Sequence, residues 1–414
     1  MKVRAAGRGG PISTNLFNAA AARLGPRSVP HQIPIIVDKS VLQGLADREA
    51  EWMFHHFSAN VPPVFFAELI ADLRKAKGFS SRAATPEADV MMLAAKVDAG
   101  SIYLNAGSAE LLNAELHGAR FEMDGRPVLT HAERVPMPDG GVGLYLDQAP
   151  IQRVTDRWQA GDFEGMEHAF AQVWRDRIKA IDLETVVRSM KGLRDKALST
   201  ADDIAEAVNA ILAHPEQRYA NLQRAMVVLG VPEKMQRRVI ERWKRMGRPP
   251  LDQFAPYTIY LARVELFFLL GVGHHVITTR SSNRIDVEYL MYLPFTHVFC
   301  SADKLHADLF PHFATNQFFI SGPDLKAALR EMAGHYDALP EEQRAHGSFT
   351  YADYPPVHMD NAVTRAFDHF MPDWRDGANQ PRPPRDPETD AKIMERLRPM
   401  MEAIEAHRKR TGAI

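Results

Sequence analysis

Two short apolar runs that each end near an aspartate constrain the fold of this 414-residue chain more than any other feature. Ile33–Val37 leads directly into Asp38, and Val298–Ser301 leads, one residue later, into Asp303. Uninterrupted apolar runs of this length are typical of strands buried on both faces, as in a parallel sheet. Because open α/β folds build their sites at the carboxyl ends of such strands, we expect both aspartates at one edge of the same sheet.

Two further carboxylates are expected at the same edge. Glu68 lies in an apolar segment that is predicted to be helical, and Asp286 begins a second helical pattern that also contains Glu288. Glu288, two residues further along that helix, is expected to face away from Asp286. Four gathered carboxylates cannot all stay ionised without cations, so the pattern favours a site for Mg²⁺ or Mn²⁺.

The composition is that of an ordinary globular protein, with 45% apolar and 25% charged residues. The formal net charge of -2 excludes a global basic field, so a polyanionic partner would have to be bound by local basic patches. The single cysteine, Cys300, excludes a disulfide framework and a CxxC-type zinc site, and it fits a reducing cytoplasm.

Neither of the two segments that could act as a targeting or membrane signal has the required pattern. Residues 1–27 contain arginines but lack the apolar core of a secretory signal. Residues 257–272 form the strongest apolar stretch, but this stretch is shorter than a span of roughly 20 residues and contains Arg263 and Glu265. We therefore expect a buried helix at this position and a cytoplasmic protein.

Changes in sequence character predict a discontinuous α/β domain. A strand at 33–37, a helix at 40–57 and a helix at 64–75 are expected to open it, and the α/β character returns near residue 254. The expected parts are a flexible segment at 1–30, an α/β domain at 31–77 and 255–335, a mainly helical insertion at 78–254, and a C-terminal helical and loop extension at 336–414.

Local signals add detail within these parts. The turn residues 138–141 predict a hairpin, and Thr200, three residues before Asp203, predicts the amino-terminal cap of a helix over 200–213. Residues 376–387 are polar and rich in proline, so a linker is expected there, followed by a final helix at 389–409.

The order of these motifs resembles that of the PIN-domain-like nuclease superfamily. Its members open with an apolar strand that ends in Asp, followed two residues later by Ser or Thr, and place a Glu in an early helix. Later they carry an Asp at a helix start and a strand that ends in Ser/Thr-x-Asp. The matching residues here are Asp38 with Ser40, Glu68, Asp286, and Asp303 with Ser301. The resemblance covers residues 31–77 and 255–320, and residues 78–254 intervene where simple members have a few helices.

This resemblance implies an α/β fold, a PIN-like three-layer sandwich with a central parallel sheet, interrupted by the large helical insertion. It also implies divalent-metal-dependent hydrolysis of phosphodiester bonds in nucleic acid, with RNA as the expected substrate. By resemblance, Asp38, Glu68, Asp286 and Asp303 would hold one or two Mg²⁺ or Mn²⁺ ions, which would activate a water.

Residues beside the four acids receive supporting roles in the same scheme. Ser40 and Ser301 would orient metal ligands or waters through their hydroxyls. The cationic or titratable neighbours, which are expected to contact phosphate oxygens, are Lys39, Arg284, Lys304 and His306.

Each of these residues also has a purely structural interpretation. Asp38, Asp286 and Asp303 would serve equally as caps at the starts of helices, and Glu68 as a solvated helix residue. Residues 234–248 contain seven basic side chains around Trp243. They could contact a nucleic-acid backbone, with Trp243 stacked on a base, or form the solvated face of an amphipathic helix.

Three other functions stay open at the sequence level. One is a nucleic-acid-binding or assembly protein that keeps the fold without catalysis. Another is a metal-dependent phosphohydrolase of small phosphate esters, which would need a closed pocket rather than an open groove. The third is a largely helical interaction protein, which would show no response to metal ions.

Overall fold

The computed structural model describes residues 32–75, 85–130, 132–136, 142–146, 148–190, 198–345 and 348–378, with scattered helical residues between 391 and 406. The segment expected to be flexible at 1–30 and the turn predicted at 138–141 lie outside the described residues. Most of the expected linker and of the final helix at 389–409 also lie outside them.

A five-stranded parallel sheet forms the centre of the fold, and a two-stranded antiparallel hairpin lies apart from it. The sheet has the strand order β3-β2-β1-β6-β7, and β4 pairs with β5 in the hairpin. The strands are β1 Ile33–Val37, β2 Phe57–Val61, β3 Ile102–Leu104, β4 Ala132–Pro136, β5 Val142–Leu146, β6 Val298–Ser301 and β7 Phe318–Ser321.

Helices make up most of the remaining described chain. Those in the first part, up to the central helical region, are α1 Lys39–Gly44, α2 Asp47–His56, α3 Pro63–Ala71, α4 Pro86–Ala94, α5 Ser108–Leu116, α6 Ala149–Gln159, α7 Gly165–Lys179, α8 Leu183–Met190, α9 Ala201–Ala213 and α10 Arg218–Val228. The later ones are α11 Glu233–Arg245, α12 Leu251–Phe254, α13 Pro256–Gly273, α14 Asn283–Leu290, α15 Lys304–Phe313, α16 Gly322–Asp337, α17 Glu341–Arg344, α18 Ser348–Tyr351, α19 Ala362–Phe370 and α20 Trp374–Ala378.

The strand order of the sheet changes direction at β1. From β1 the chain adds β2 and then β3 on one side, whereas β6 and β7 lie on the other side. Val37 pairs with Cys300, and the Asp38 amide donates to the Cys300 carbonyl at 3.1 Å. The carboxyl ends of β1 and β6 are therefore neighbours at a topological switch point, where open α/β sheets form a crevice.

The predicted α/β class with a central parallel sheet is confirmed. Every residue of β2 and of β6 is buried, although successive side chains of a strand point to opposite faces of the sheet. Both faces must therefore be covered, an arrangement compatible with a three-layer sandwich.

Three strands of the sheet, β2, β3 and β7, were not predicted. The helix expected at 40–57 is in fact α1 and α2, separated at Leu45 and Ala46, and Phe57 already belongs to β2. The edge strand β3 lies within the segment expected to be the insertion, so the α/β part extends beyond the boundary placed after residue 77. β3 has only three residues, and the polar side chains of Ser58 and Asn60 interrupt the apolar pattern of β2.

The helical region is built around α13, the apolar segment expected to be buried. By length and composition α13 could cross a membrane, but 61% of it is buried inside the protein, where it packs against α5, α8, α9 and α10. The prediction of a buried helix at this position is confirmed. The Thr200 hydroxyl accepts from the Asp203 amide at 3.1 Å, which also confirms the cap predicted for α9.

Candidate acidic site at the carboxyl edge of the sheet

Asp38 caps helix α1 with a carboxylate that several donors hold in place. Its Oδ1 accepts from the Val41 amide at 2.8 Å and from the Ser40 hydroxyl at 2.7 Å, and its Oδ2 accepts from the Ser301 hydroxyl. Burial raises the pKa of Asp38, but interactions with His306 and with the two serines outweigh burial and hold it below its ordinary value. Asp38 is therefore ionised, and both serines orient it.

His306 lies beneath Asp38 and is only 1% exposed. Its Nδ1 is 2.7 Å from the Ser301 hydroxyl and 3.5 Å from Asp38 Oδ2, and its Nε2 is 2.7 Å from the carbonyl oxygen of Asp286. Because a carbonyl only accepts, Nε2 carries a hydrogen. Burial lowers the pKa of His306, but Asp38 and Asp286 raise it above its ordinary value. The imidazole therefore joins Asp38 to the backbone of α14, and its burial prevents the predicted contact with phosphate.

Glu68 is placed by a contact between α3 and α14. Its Oε2 accepts from the Tyr289 hydroxyl at 2.6 Å. Tyr289 follows Asp286 by three residues, so both lie on neighbouring positions of one helical face. Burial raises the pKa of Glu68; Lys39 and Tyr289 oppose this effect, and the charge of Asp38 adds to it.

Asp286 has the most perturbed carboxyl of the four predicted acids. Burial raises its pKa to about 7, against the opposing effect of His306, and the negative charges of Asp303 and Glu68 raise it further. Near neutral pH this carboxyl is therefore divided between its protonated and ionised forms. The electrostatic interactions show that Glu68, Asp286 and Asp303 lie in one neighbourhood.

Asp303 caps helix α15. Its Oδ1 accepts from the Leu305 amide at 2.7 Å, and its own amide donates to the Ser301 hydroxyl at 2.9 Å. The capping interpretation therefore applies to Asp303 as it does to Asp38. Asp303 nevertheless adds to the negative potential at Asp286.

Two additional acids, Glu265 and Glu288, lie beside the predicted four. Burial raises the pKa of both; Arg284 opposes this effect, and the charges of Glu265 and Glu68 add to it at Glu288. Glu288 therefore lies on the flank of the site rather than beside Asp286, as its position two residues along the helix implies.

The predicted phosphate-binding cations already have acidic partners within the protein. These pairs are Lys39 with Asp72 at 3.1 Å, Arg284 with Glu265 at 2.5 Å, and Lys304 with Asp308 at 2.5 Å. Lys39 and Arg284 are partly buried, whereas the Lys304 side chain is largely exposed. Lys304 is therefore the one of these three best placed to meet a phosphate in solvent.

The donor set at this edge fits a hydrated divalent ion better than an ion enclosed by protein ligands. Within the described ranges, no group of three or more His, Cys, Asp or Glu side chains is placed to hold a metal ion. Mg²⁺, however, usually keeps several waters and uses one or two carboxylates. Glu68 and Asp286 suit that role because burial and, to a lesser extent, neighbouring negative charges raise their pKa values, and a bound cation would offset both effects. The Asp38 oxygens are already engaged by protein donors.

The basic segment at 234–248 contains helix α11, and the structure excludes the stacking of Trp243 on a base that one of its two interpretations included. Trp243 is 3% exposed, packs in a second apolar core, and donates from its indole to the Pro249 carbonyl at 2.9 Å. It therefore cannot stack on a base. The Arg242 guanidinium lies 4.5 Å from the ring centre of Phe254, so it too packs on the core. The other basic residues of the segment are exposed: Lys234, Arg237, Arg238, Lys244, Arg245 and Arg248.

Comparison with known proteins gives no relative for this chain. No family model, no curated protein and no solved structure matches it. The site geometry and the sequence motifs are therefore the basis for the functional proposal.

Proposed function

We propose that this protein is a divalent-metal-dependent nuclease that hydrolyses phosphodiester bonds, with RNA as its substrate, at the acidic edge of the sheet. The observation that carries the proposal is the burial of Asp286 beside Glu68 and Asp303, which together raise the pKa of its carboxyl to about 7. Such crowding is unfavourable in the isolated protein and is relieved when a cation binds. Strained electrostatics of this kind concentrate at functional sites.

In this proposal Glu68 and Asp286 hold Mg²⁺ or Mn²⁺ by their carboxylates. An ion held there would supply an acidified water and would stabilise charge on the phosphate. The protein's own part is positioning. Tyr289 fixes the carboxylate of Glu68 by a hydrogen bond, and His306 fixes the backbone of Asp286 while its charge keeps Asp38 ionised. Lys304 extends from the same edge toward solvent, where it would contact substrate phosphate.

A polymeric substrate is favoured over a small phosphate ester. A phosphohydrolase of small esters would enclose its substrate in a pocket that contains the acids. Two cavities of about 400 and 360 Å³ both include Asp47 and Lys96 in their lining, and none of the four predicted acids lines either one.

The test is cleavage of single-stranded RNA, single-stranded DNA and a small phosphodiester, each with Mg²⁺, Mn²⁺ or EDTA. Glu68→Gln and Asp286→Asn are expected to abolish metal-dependent cutting of RNA without unfolding the protein. Asp308→Asn serves as the matched control, since Asp308 is an exposed acid on α15 that pairs only with Lys304 among the contacts described. Equal activity in all variants would place the activity elsewhere or in a contaminant.

A second candidate, a nucleic-acid-binding protein without catalysis, is favoured by one observation. Both carboxylate oxygens of Asp38 accept hydrogen bonds from protein donors, as a purely structural cap would require. This candidate predicts metal-independent RNA binding with no cleavage by the wild-type protein.

A further inference from the structure

An apolar groove of about 320 Å³ opens at the same edge of the sheet as the acids. It lies where β2 and β3 end, between α3 and α7, and its apolar lining includes Val61, Phe66, Ile70, Leu104 and Phe170. Phe66 and Ile70 belong to α3, the helix that also carries Glu68. Both residues are two positions from Glu68, so the groove and the acidic site lie on different faces of α3.

Phe170 is an exposed aromatic wall of this groove. Its side chain is 44% exposed, and its ring stacks on Trp174 with centroids 6.0 Å apart and planes 20° apart. An exposed phenyl ring whose orientation is fixed by a neighbouring indole is a suitable platform for a flat ligand. Phe66 contributes a second aromatic ring to the lining.

Asn105 supplies the groove with an unsatisfied hydrogen-bond donor. It directly follows β3, lines the groove, and is 1% exposed. Its Oδ1 accepts from the Val128 amide at 2.9 Å, which fixes the orientation of the side-chain amide. Its Nδ2 is buried and has no hydrogen-bond partner among the described residues. Buried donors are almost always paired in folded proteins, so this one is available to an acceptor that a ligand supplies.

The groove lies close enough to the acids to serve the same substrate. Neighbouring strands of a sheet are about 4.8 Å apart, and β2 and β3 are the first and second neighbours of β1 on one side. The groove therefore begins one to two strand spacings from Asp38, so successive nucleotides of one strand could occupy the groove and the acidic site.

We propose that this groove binds one nucleobase of a single-stranded nucleic acid. The base stacks on Phe170, and a carbonyl oxygen or ring nitrogen on its edge accepts from Asn105 Nδ2. An apolar side chain of a protein partner would fill the same space but would leave the Asn105 donor unpaired, which disfavours it. This inference rests on the proposed nuclease function for the identity of the polymer, but base binding itself requires no metal.

The test is binding of a short single-stranded oligouridylate to the full chain in EDTA, measured by fluorescence anisotropy. Phe170→Ala is expected to weaken binding at least about fivefold, since stacking on an aromatic side chain contributes substantially per base. Phe170→Tyr should bind as the wild type does. Met166→Ala is the matched control, because Met166 is an exposed apolar residue of the same helix that is not in the groove lining described.

Asn105→Asp tests the hydrogen bond separately. The substitution keeps an acceptor for the Val128 amide and removes the donor, so binding should weaken while the melting temperature, measured at a pH where the fold is retained, verifies folding. Wild-type affinity in Phe170→Ala, or equal losses in Phe170→Ala and Met166→Ala, would overturn the proposal, as would the absence of oligouridylate binding by the wild type.

The outcome is separable from that of the nuclease proposal. Asp286→Asn should retain oligouridylate binding in EDTA. Base binding without cleavage by the wild type would support the groove and contradict the nuclease. Cleavage that persists in Phe170→Ala with an unchanged KM for RNA would support the nuclease and contradict the groove.

Discussion

Asp38 and Asp286 lie on opposite sides of one histidine, yet the pKa of Asp38 is lowered and that of Asp286 is raised. His306 reaches the carboxylate of Asp38 through Nδ1 and only the backbone carbonyl of Asp286 through Nε2. Asp38 also receives hydrogen bonds from hydroxyls, and its pKa falls, whereas burial and acidic neighbours raise the pKa of Asp286 to about 7. At the residue scale, the first carboxylate supports the structure and the second is electrostatically unsatisfied.

Neutralising Asp286 should therefore stabilise the protein in the absence of metal. The pKa of this carboxyl is near 3.8 in the unfolded protein and is raised to about 7 in the folded protein. Its contribution to the free energy of unfolding is therefore full below pH 3.8 and is lost as the pH rises through about 7. Asp286→Asn removes this loss. The expected gain in the free energy of unfolding grows between pH 4 and 7 and reaches about 2 kcal/mol or more at pH 8. Urea unfolding in EDTA across this pH range measures it, and a loss of stability at pH 8 would contradict the electrostatic account.

Neutralising Asp38 should have the opposite effect. Burial raises its pKa, but His306 and the serine hydroxyls hold it below the ordinary value, so its contribution is present above the unfolded pKa and is lost as pH falls through the folded pKa. Asp38→Asn is expected to lower the free energy of unfolding at pH 7 by about 1–3 kcal/mol, because it weakens buried charge-assisted hydrogen bonds. Urea unfolding beside the control Asp308→Asn measures this. Equal stability of the two variants would mean that Asp38 is not a structural cap.

The sequence motifs pointed to the four acids but could not predict most of their hydrogen-bond partners. Ser40 lies two residues from Asp38, so a local motif indicates that contact. The hydrogen bond from Tyr289 to Glu68 spans 221 residues and that from Ser301 to Asp38 spans 263, so both depend on the whole topology. The one available signal for Tyr289 was its position three residues after Asp286 on the same helix. No local pattern indicated that His306 would be buried rather than face phosphate.

At the scale of secondary-structure elements, strands with a continuous apolar run were predictable and strands interrupted by polar residues were not. The apolar runs of β1 and β6 predicted two strands of the sheet correctly, because a strand that is buried on both faces requires apolar side chains at nearly every position. β2 places Ser58 and Asn60 in buried positions, where Asn60 Nδ2 donates to the Phe295 carbonyl at 2.7 Å. That partner lies 235 residues away, so the sequence of β2 alone gave no reason to expect a buried strand.

The start of α13 depends on a buried carboxylate from another helix. Glu115 of α5 accepts from the Tyr257 amide at 3.0 Å and from the Thr258 amide and hydroxyl, each at 2.6 Å. Negative charge at a helix amino terminus is stabilising, and these donors would otherwise be buried without partners.

Glu115→Ala is therefore expected to lower the free energy of unfolding by about 2 kcal/mol or more. Glu115→Gln should cost less, because its amide oxygen still accepts from a backbone N–H. Guanidinium unfolding compares both variants with Glu110→Ala, an exposed position on the same helix. Similar stability of Glu115→Ala and Glu110→Ala would show that α13 does not depend on this cap.

At the scale of the whole molecule, the helical region supports the acidic site directly. The hydroxyls of Tyr257 and Tyr260 on α13 donate to the carbonyls of Met291 and Leu290, at the end of the helix that carries Asp286. The largest apolar core includes side chains of the sheet together with Leu111, Trp158 and Ile204 of the segment 78–254. The intervening residues expected to be an insertion are therefore packed into the same core as the sheet, an arrangement that composition and spacing could not predict.

The central claim is that the crowded carboxylates form a site for a divalent cation, and calorimetric titration with Mn²⁺ at pH 7 tests it most directly. Because Asp286 is partly protonated near its pKa of about 7, Mn²⁺ binding to the wild type should release protons, and the measured enthalpy should change with the ionisation enthalpy of the buffer. Asp286→Asn and Glu68→Gln should bind Mn²⁺ much more weakly than Asp308→Asn does. Binding that is absent in the wild type, or unchanged in Asp286→Asn, would contradict the metal site and with it the proposed nuclease.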